Sequence, residues 1–419
     1  MSSKKVKPKL LYALPEEGTI YEHPQLCMLC RKGEELVPPK PQDLIPLPAE
    51  SNIFLLPERR AVGMDPDSGE VHCLDELAVA AFISPGHTLS AHSAYISDQN
   101  ASPLPLFAYG AVGYANGTFW VCAQKVDEDR RQQFQNISNK AIDRGAKNLL
   151  QRFPKNRLIR HLSKCALTYC CPAAKNLALG RFECPLPTAR GCNARCIGCI
   201  SRQPQDSGFP ATQHRIAFTP EVREITEVMH AHAQKESKPI FSFGQGCEGE
   251  PLTETSLIRD AVQQFRKQGG QGTVNINSNA SLPESIAPLS AAGLNSIRVS
   301  LNSARKELYS AYYRPQGYDF EHVKQSIEQA KLNGLFVALN YLFSPGINDT
   351  EEELGAMCEL IEGYKVDFLQ MRNLNLDPEL YMKTVSKGKE PSMGLKNFMH
   401  RISEKCPWVE FGYFNPYLG

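Results

Sequence analysis

Several things are missing from these 419 residues, and each absence removes a class of function. No apolar run comes near the roughly 20 residues that cross a bilayer, which argues against a membrane-spanning protein. The opening run Met1-Ser-Ser-Lys-Lys-Val-Lys-Pro-Lys9 lacks the apolar core of a secretory leader, so a cytoplasmic location is the expectation. The formal net charge is only +1, from 46 basic and 45 acidic residues. A nucleic-acid partner would leave a stronger basic footprint. No segment repeats at the 20–50-residue period of solenoids and propellers, and there is no low-complexity tract.

What remains is an ordinary globular composition, 42% apolar and 22% charged, in a chain long enough for two packed units. Its 14 cysteines are scattered along a long sequence rather than concentrated in a short secreted one, so reduced thiols are expected. Residues 1 to about 135 are proline-rich and strand-biased. Short apolar runs such as Ile53-Phe-Leu-Leu56, Leu77-Ala-Val-Ala-Ala-Phe-Ile83 and Phe119-Trp-Val-Cys122 alternate there with turn signals. Asn116-Gly117 between two such runs reads as a hairpin turn. Two helices are predicted next, over 138–153 and 156–170. From about 184 the pattern becomes strand then helix. Strands are expected at 184–189, 239–243, 272–277, 295–301, 335–342 and 366–371. Helices are expected at 220–235, 254–268, 283–292, 318–333, 350–363 and 393–404. Strands alternating with helices of that length imply a parallel sheet with right-handed crossovers.

The most informative feature is the run Thr188-Ala-Arg-Gly-Cys-Asn-Ala-Arg-Cys-Ile-Gly-Cys-Ile-Ser201. Cys192, Cys196 and Cys199 are spaced C-x3-C-x2-C. Three thiolates so close together can ligate three irons of a [4Fe–4S] cube and leave the fourth open. A zinc site completed by His214 or Cys184 is the rival reading of the same residues.

The motif resembles that of the radical S-adenosylmethionine (SAM) superfamily, and further runs carry the resemblance over residues 184–375. Phe241-Ser-Phe-Gly-Gln-Gly-Cys-Glu-Gly-Glu-Pro-Leu252 is similar to its strand ending in Gly-Gly-Glu-Pro. Asn277-Ser-Asn-Ala280 is similar to its Thr-Asn-Gly strand end, and Ser296-Ile-Arg-Val-Ser-Leu-Asn-Ser303 to its fourth strand. The resemblance implies an α/β fold, a partial (β/α)6 barrel, here preceded by a mostly-β region. The expected units are 1–180, ending in two helices; the barrel at 181–378; and a helix-and-strand extension at 379–419. It implies an oxygen-sensitive enzyme with a [4Fe–4S] cluster that cleaves SAM reductively to methionine and a 5′-deoxyadenosyl radical, which takes hydrogen from a substrate. A flavodoxin- or ferredoxin-like electron donor is implied as partner.

Residue by residue, the resemblance makes Cys192, Cys196 and Cys199 the cluster ligands. It places Gly249 and Glu250 against the methionyl ammonium of SAM. Glu248 stands where the family has glycine, so the assignment between the two acids stays open. Ser300, Asn302, Arg298 and Asn340 are further SAM-contact candidates, with Arg298 able to fork onto the SAM carboxylate. Gln370, Arg372, Asn373 and Asn375 follow the sixth strand and are candidates for the substrate face. A small molecule or a peptide is the expected substrate. A tRNA-modifying enzyme and a non-catalytic iron–sulfur carrier are the alternatives. Cys165, Cys170, Cys171 and Cys184 are read as packed thiols without a second cluster, and Cys247 as filling space. The aromatic run 409–417 reads either as a cover over the barrel's open side or as an edge strand.

Overall fold

The structure is a computed structural model that describes residues 6–385 and 390–419; Lys4 and Lys5 lie outside the described residues. The first strands are β1 (Lys9–Ala13), β2 (Ile20–Met28), β3 (Cys30–Lys32), β4 (Glu35–Val37), β5 (Leu44–Pro46) and β6 (Asn52–Met64). They continue with β7 (Val71–Phe82), β8 (His87–Leu89), β9 (His92–Ser93), β10 (Tyr95–Ser97), β11 (Val112–Ala115) and β12 (Thr118–Lys125). Nine of these form one antiparallel sheet, with β4, β3 and β9 in a small second one. The β11–β12 hairpin turns at Asn116 and Gly117, both left-handed with φ of 53° and 75°. Two positive φ angles are what a tight hairpin matched to strand twist requires.

Three helices follow rather than two: α1 (Asn139–Arg152), α2 (Arg157–Leu167) and α3 (Pro172–Leu179). The second ends early because the chain reverses at Cys170, which adopts φ 52°. Pro172 then begins a new helix, a position where its missing N–H costs nothing.

The seven remaining strands run in sequence order and all parallel. They are β13 (Glu183–Pro185), β14 (Ile240–Phe243), β15 (Thr273–Ser278), β16 (Ser296–Leu301), β17 (Phe336–Phe343), β18 (Phe368–Asn373) and β19 (Glu410–Gly412). Between them lie α4 (Val222–Ala233), α5 (Thr255–Lys267), α6 (Ile286–Ala292), α7 (Lys306–Tyr313), α8 (Phe320–Leu332), α9 (Glu351–Tyr364), α10 (Pro378–Val385) and α11 (Leu395–Lys405). Six expected strands and six expected helices occur within a few residues of their predicted places. Helices α7 and α10 are additional, and α10 runs across the expected boundary at 378.

Alternate residues of the parallel strands divide between two environments. Val274, Ile276, Ile297, Val299 and Leu339 join the large apolar cluster under the helices. Their neighbours Ser242, Asn275, Ser296, Arg298 and Gln370 share one polar face. Ser296 donates to Asn275, Asn275 reaches both Ser242 and Asn277, and Arg298 donates to Gln370. Asn415, just past β19, joins the same face by bonding Gln370, Glu183 and Ser242. The aromatic run is thus an edge strand whose continuation enters the interior. The antiparallel sheet meets the carboxyl ends of β17 and β18. Thr88 donates to the Met371 carbonyl, and the Asn373 side chain spans Leu89 N and His87 O. Arg59 pairs with Asp377 at 3.1 Å, both almost fully buried.

Candidate functional site

The loop after β13 is held by its surroundings rather than by regular structure. Glu248 clasps its start: one carboxylate oxygen accepts from Thr188 N at 2.7 Å and Ala189 N at 2.9 Å, the other from Gln245 N at 2.6 Å. Gly249 N donates to Ala189 O and Glu250 N to Gly191 O, a short ladder that locks the two loops together. A side chain at Gly249 has no room, because its Cβ would stand 1.6 Å from Gly191 O. Farther along, Arg195 N and Ile197 N donate to the carbonyls of Tyr313 and Tyr312 on α7. Asn193 bonds Ser281 and Asn279 from the loop after β15.

This scaffold presents Cys192, Cys196 and Cys199 half-exposed and unbridged. Each thiol lies within electrostatic reach of its neighbours. Burial, with Glu250 next, pushes Cys192 up to about 11, and burial followed by Cys199 and Cys192 pushes Cys196 well above the ordinary thiol value. Cys192 and Cys196 thus resist ionising without a cation beside them. Arg215 supplies one positive partner, with Nη2 at 3.6 Å from Cys199 Sγ and Nε on Ser201 Oγ. His214 instead packs edge-on to Tyr169, and Cys184 is fully buried on β13. Neither therefore completes a zinc site with the triplet. The three residues fit a [4Fe–4S] cluster that takes three cysteines: one compact loop and three separate, unbridged thiols.

Glu250 lies within electrostatic reach of Cys192 and Cys196. It is 3% exposed and accepts from Leu252 N, Ser278 Oγ and Asn279 N at 3.0, 2.6 and 2.8 Å. Burial, ahead of these donors, still pushes its carboxyl up to about 7. Ala280, at the place of the family's glycine, has φ 56°, so the strand end keeps the left-handed turn without the residue that adopts it most easily.

The other predicted residues separate into three groups. Arg298, Ser300, Asn340, Gln370 and Arg372 occupy the polar face of neighbouring strands, in the pairs Ser300–Asn340 and Asn340–Gln370. Buried Arg298 Nε and Asn340 Oδ1 have no hydrogen-bond partner. Arg298 is pushed down to about 10 by burial and then by Arg372. Arg372 lies over the Tyr413 ring at 3.9 Å and donates to the Tyr413 carbonyl. Asn302 is fully buried, and its amide nitrogen goes to Leu308 O and the Tyr381 hydroxyl, so it braces α7 and α10. Asn373 ties the two sheets, as above, and is not free for a substrate. Asn375 is half-buried.

Sequence reasoning missed Arg215, Ser278, Asn279 and the aromatic wall of Tyr309, Tyr312 and Tyr313 beside the cysteine loop. Tyr312 even closes on Gly198, whose Cβ would meet its hydroxyl at 2.5 Å. Three tyrosines within five positions were the available signal.

Residues 186–361 match the family model described as the Radical SAM superfamily. The chain is 31% identical over 131 residues to a GTP 3′,8-cyclase of Paenarthrobacter nicotinovorans, covering 31% of this chain and 36% of that one. It is 30% identical over 164 residues to the GTP 3′,8-cyclase of Peptoclostridium acidaminophilum, covering 39% and 46%. The chain thus spans less than half the length of these two relatives. Among solved structures it is similar to the FeFe-hydrogenase maturase HydG from Carboxydothermus hydrogenoformans, at 11% identity and a TM-score of 0.39, over 65% of this chain and 69% of that one.

Proposed function

Residues 186–361 make the chain a member of the radical SAM superfamily, whose enzymes use a [4Fe–4S] cluster and SAM, and from that premise we propose what its own residues do. Cys192, Cys196 and Cys199 ligate the cluster, and Glu250 with the Gly249 backbone receives the methionyl ammonium. Glu248 is the clasp of the loop, since its oxygens hold Thr188 N and Ala189 N, at the start of the cysteine loop, together with Gln245 N. Bound there, cluster and SAM supply a hydrogen-abstracting 5′-deoxyadenosyl radical. The protein orients SAM through Ser300, Asn340 and Arg298, and excludes water with the Tyr312–Tyr313 wall. The parallel strands 183–412, helices outside and polar residues inside, are read as a partial barrel with its chemistry at the strands' carboxyl ends. The antiparallel sheet covers that end beside β17 and β18.

The substrate is proposed to be a small molecule or peptide that presents an anionic group. The observation carrying this is a pair of guanidiniums, Arg298 and Arg372, on the interior face, neither ion-paired among the described residues. With the SAM carboxylate on Arg298, Arg372 remains for the substrate. The relatives named for GTP, a polyanion, agree with such a site. An electron donor of flavodoxin or ferredoxin type completes the reaction. The test is anaerobic reconstitution, then dithionite and SAM, with 5′-deoxyadenosine read by chromatography. Its absence in protein that holds iron and binds SAM would leave an iron–sulfur carrier instead. Arg372→Gln should leave slow, substrate-free cleavage of SAM intact and remove any stimulation by an anionic substrate.

A further inference from the structure

Behind the loop that carries Gly249 and Glu250 lies a second group of metal-type ligands. His161 and Cys165 stand one turn apart on α2, so both side chains leave the same face of the helix. Cys247, from the loop after β14, meets them. His161 Nε2 is 3.5 Å from Cys247 Sγ and 3.5 Å from Cys165 Sγ, and the three atoms all lie within 4.8 Å of one another. Both thiols are buried. Around one tetrahedral zinc, with Zn–S about 2.3 Å and Zn–N about 2.0–2.1 Å, a nitrogen and a sulfur ligand stand about 3.6 Å apart and two sulfurs about 3.8 Å. The observed distances are those of ligands sharing one ion. In an iron–sulfur cube each cysteine takes a separate iron, so its thiolates stand farther apart.

Cys171 lies near this group, though its thiol is not among the atoms within 4.8 Å of one another. The left-handed turn at Cys170 brings Cys171 back on Cys165, with Cys171 N donating to Cys165 O at 3.0 Å. The Cys171 thiol lies within electrostatic reach of both Cys165 and Cys247.

We propose that His161, Cys165 and Cys247 hold one tetrahedral zinc ion that fixes the 244–250 loop to α2, with the Cys171 side chain swinging in as the fourth ligand. The site is separate from the radical SAM reading and stands or falls without it. It revises the expectation that these cysteines only fill space, while keeping the expectation that they hold no second iron–sulfur cluster.

The test is metal analysis of the full chain purified anaerobically. About one zinc per chain is expected in addition to about four irons. Replacing Cys192, Cys196 and Cys199 with alanine should remove the iron and spare the zinc. Cys165→Ser and Cys247→Ser should remove the zinc. Should those variants not fold, cobalt(II) added to the metal-depleted wild-type chain decides alone: one equivalent must give intense tetrahedral bands with thiolate charge transfer. The proposal is overturned if the wild type carries no zinc and cobalt(II) gives no such bands. It is equally overturned if zinc leaves with the Cys192, Cys196 and Cys199 thiols, if the two serine variants keep it, or if mass spectrometry finds Cys165 and Cys247 joined as a disulfide.

Discussion

Cys192, Cys196 and Cys199 sit half-buried on a loop without regular structure, within eight consecutive residues, with Glu250 in electrostatic reach of the first two. His161, Cys165 and Cys247 are collected from a helix and a distant loop, 86 positions apart at the extreme, and packed into an apolar cluster. The first group keeps its thiols apart and leaves room; the second brings its ligand atoms within reach of one ion and covers them. An open, loose set suits chemistry on a bound molecule, and a closed, tight set suits holding chain segments together. The same element, sulfur, thus takes two roles according to spacing and cover.

The largest way to break this contrast is to remove the open set. Cys192→Ala, Cys196→Ala and Cys199→Ala together should abolish the iron, the brown absorbance and all cleavage of SAM, with the melting temperature little changed. Retention of about four irons would put the cluster elsewhere. Next in size is Gly249→Ala. Its methyl group would collide with the Gly191 carbonyl, which is backbone and cannot swing aside. Overpacking of this kind costs about 1–3 kcal/mol, and here it also separates the two loops, so iron occupancy and thermal stability should fall together. An unaltered melting curve with full iron would mean that the loops are not locked as described.

The two acids sharpen the comparison at a smaller scale. Glu248→Gln turns one acceptor oxygen toward backbone donors into an amide, at a cost of about 2 kcal/mol in denaturant unfolding. Glu250→Gln should cost a similar amount of stability, since its oxygens also accept three donors, and in addition weaken SAM binding about tenfold, read from perturbation of the cluster's paramagnetic resonance signal. An exchange of these outcomes would exchange the roles. Glu250 also predicts a pH effect in the cluster-free protein. Its folded carboxyl is pushed up to about 7, above the unfolded value of 4.5, so the folded state holds the proton more tightly. The stability this group contributes is full below 4.5 and is lost as pH rises through about 7. Melting curves of wild type and Glu250→Gln should diverge across that window, the wild type declining. Parallel curves would mean that the carboxylate is already ionised. The smallest effect is expected from Cys184→Ala, a thiol that is only packed: a loss of about 1 kcal/mol and no change in iron or zinc.

The contrast also explains what the sequence made legible. The open set is local, so its spacing could be read directly. The closed set exists only once α2 and the 244–250 loop meet, and no pattern in the chain announces a meeting across 86 positions. Parallel strands were readable because one face of each is continuously apolar, as in Val274-Asn-Ile276 or Ile297-Arg-Val299. The short α7 was missed because Lys306–Tyr313 is dense in tyrosine and lacks a side-chain cap. Asn302 and Ser300 share a strand face in sequence, yet Asn302 lies just past the strand and is drawn to Leu308 O. Glu248 and Glu250 could not be told apart by pattern; the fold separates them by partner, Glu248 holding Thr188, Ala189 and Gln245, Glu250 holding Leu252, Ser278 and Asn279.

Asn415 bears on the order of events in synthesis. It bonds Glu183, Ser242 and Gln370, and Asp127 receives Tyr413 N from 286 positions away. Until residue 415 has left the ribosome, Glu183 and Gln370 face an interior without their partner, and β18 is an open edge. Contacts of such long sequence separation are made late and slowly. The nascent chain therefore carries β18 as an unpaired edge from its synthesis until residues 410–412 follow, the kind of exposed strand that invites misassembly.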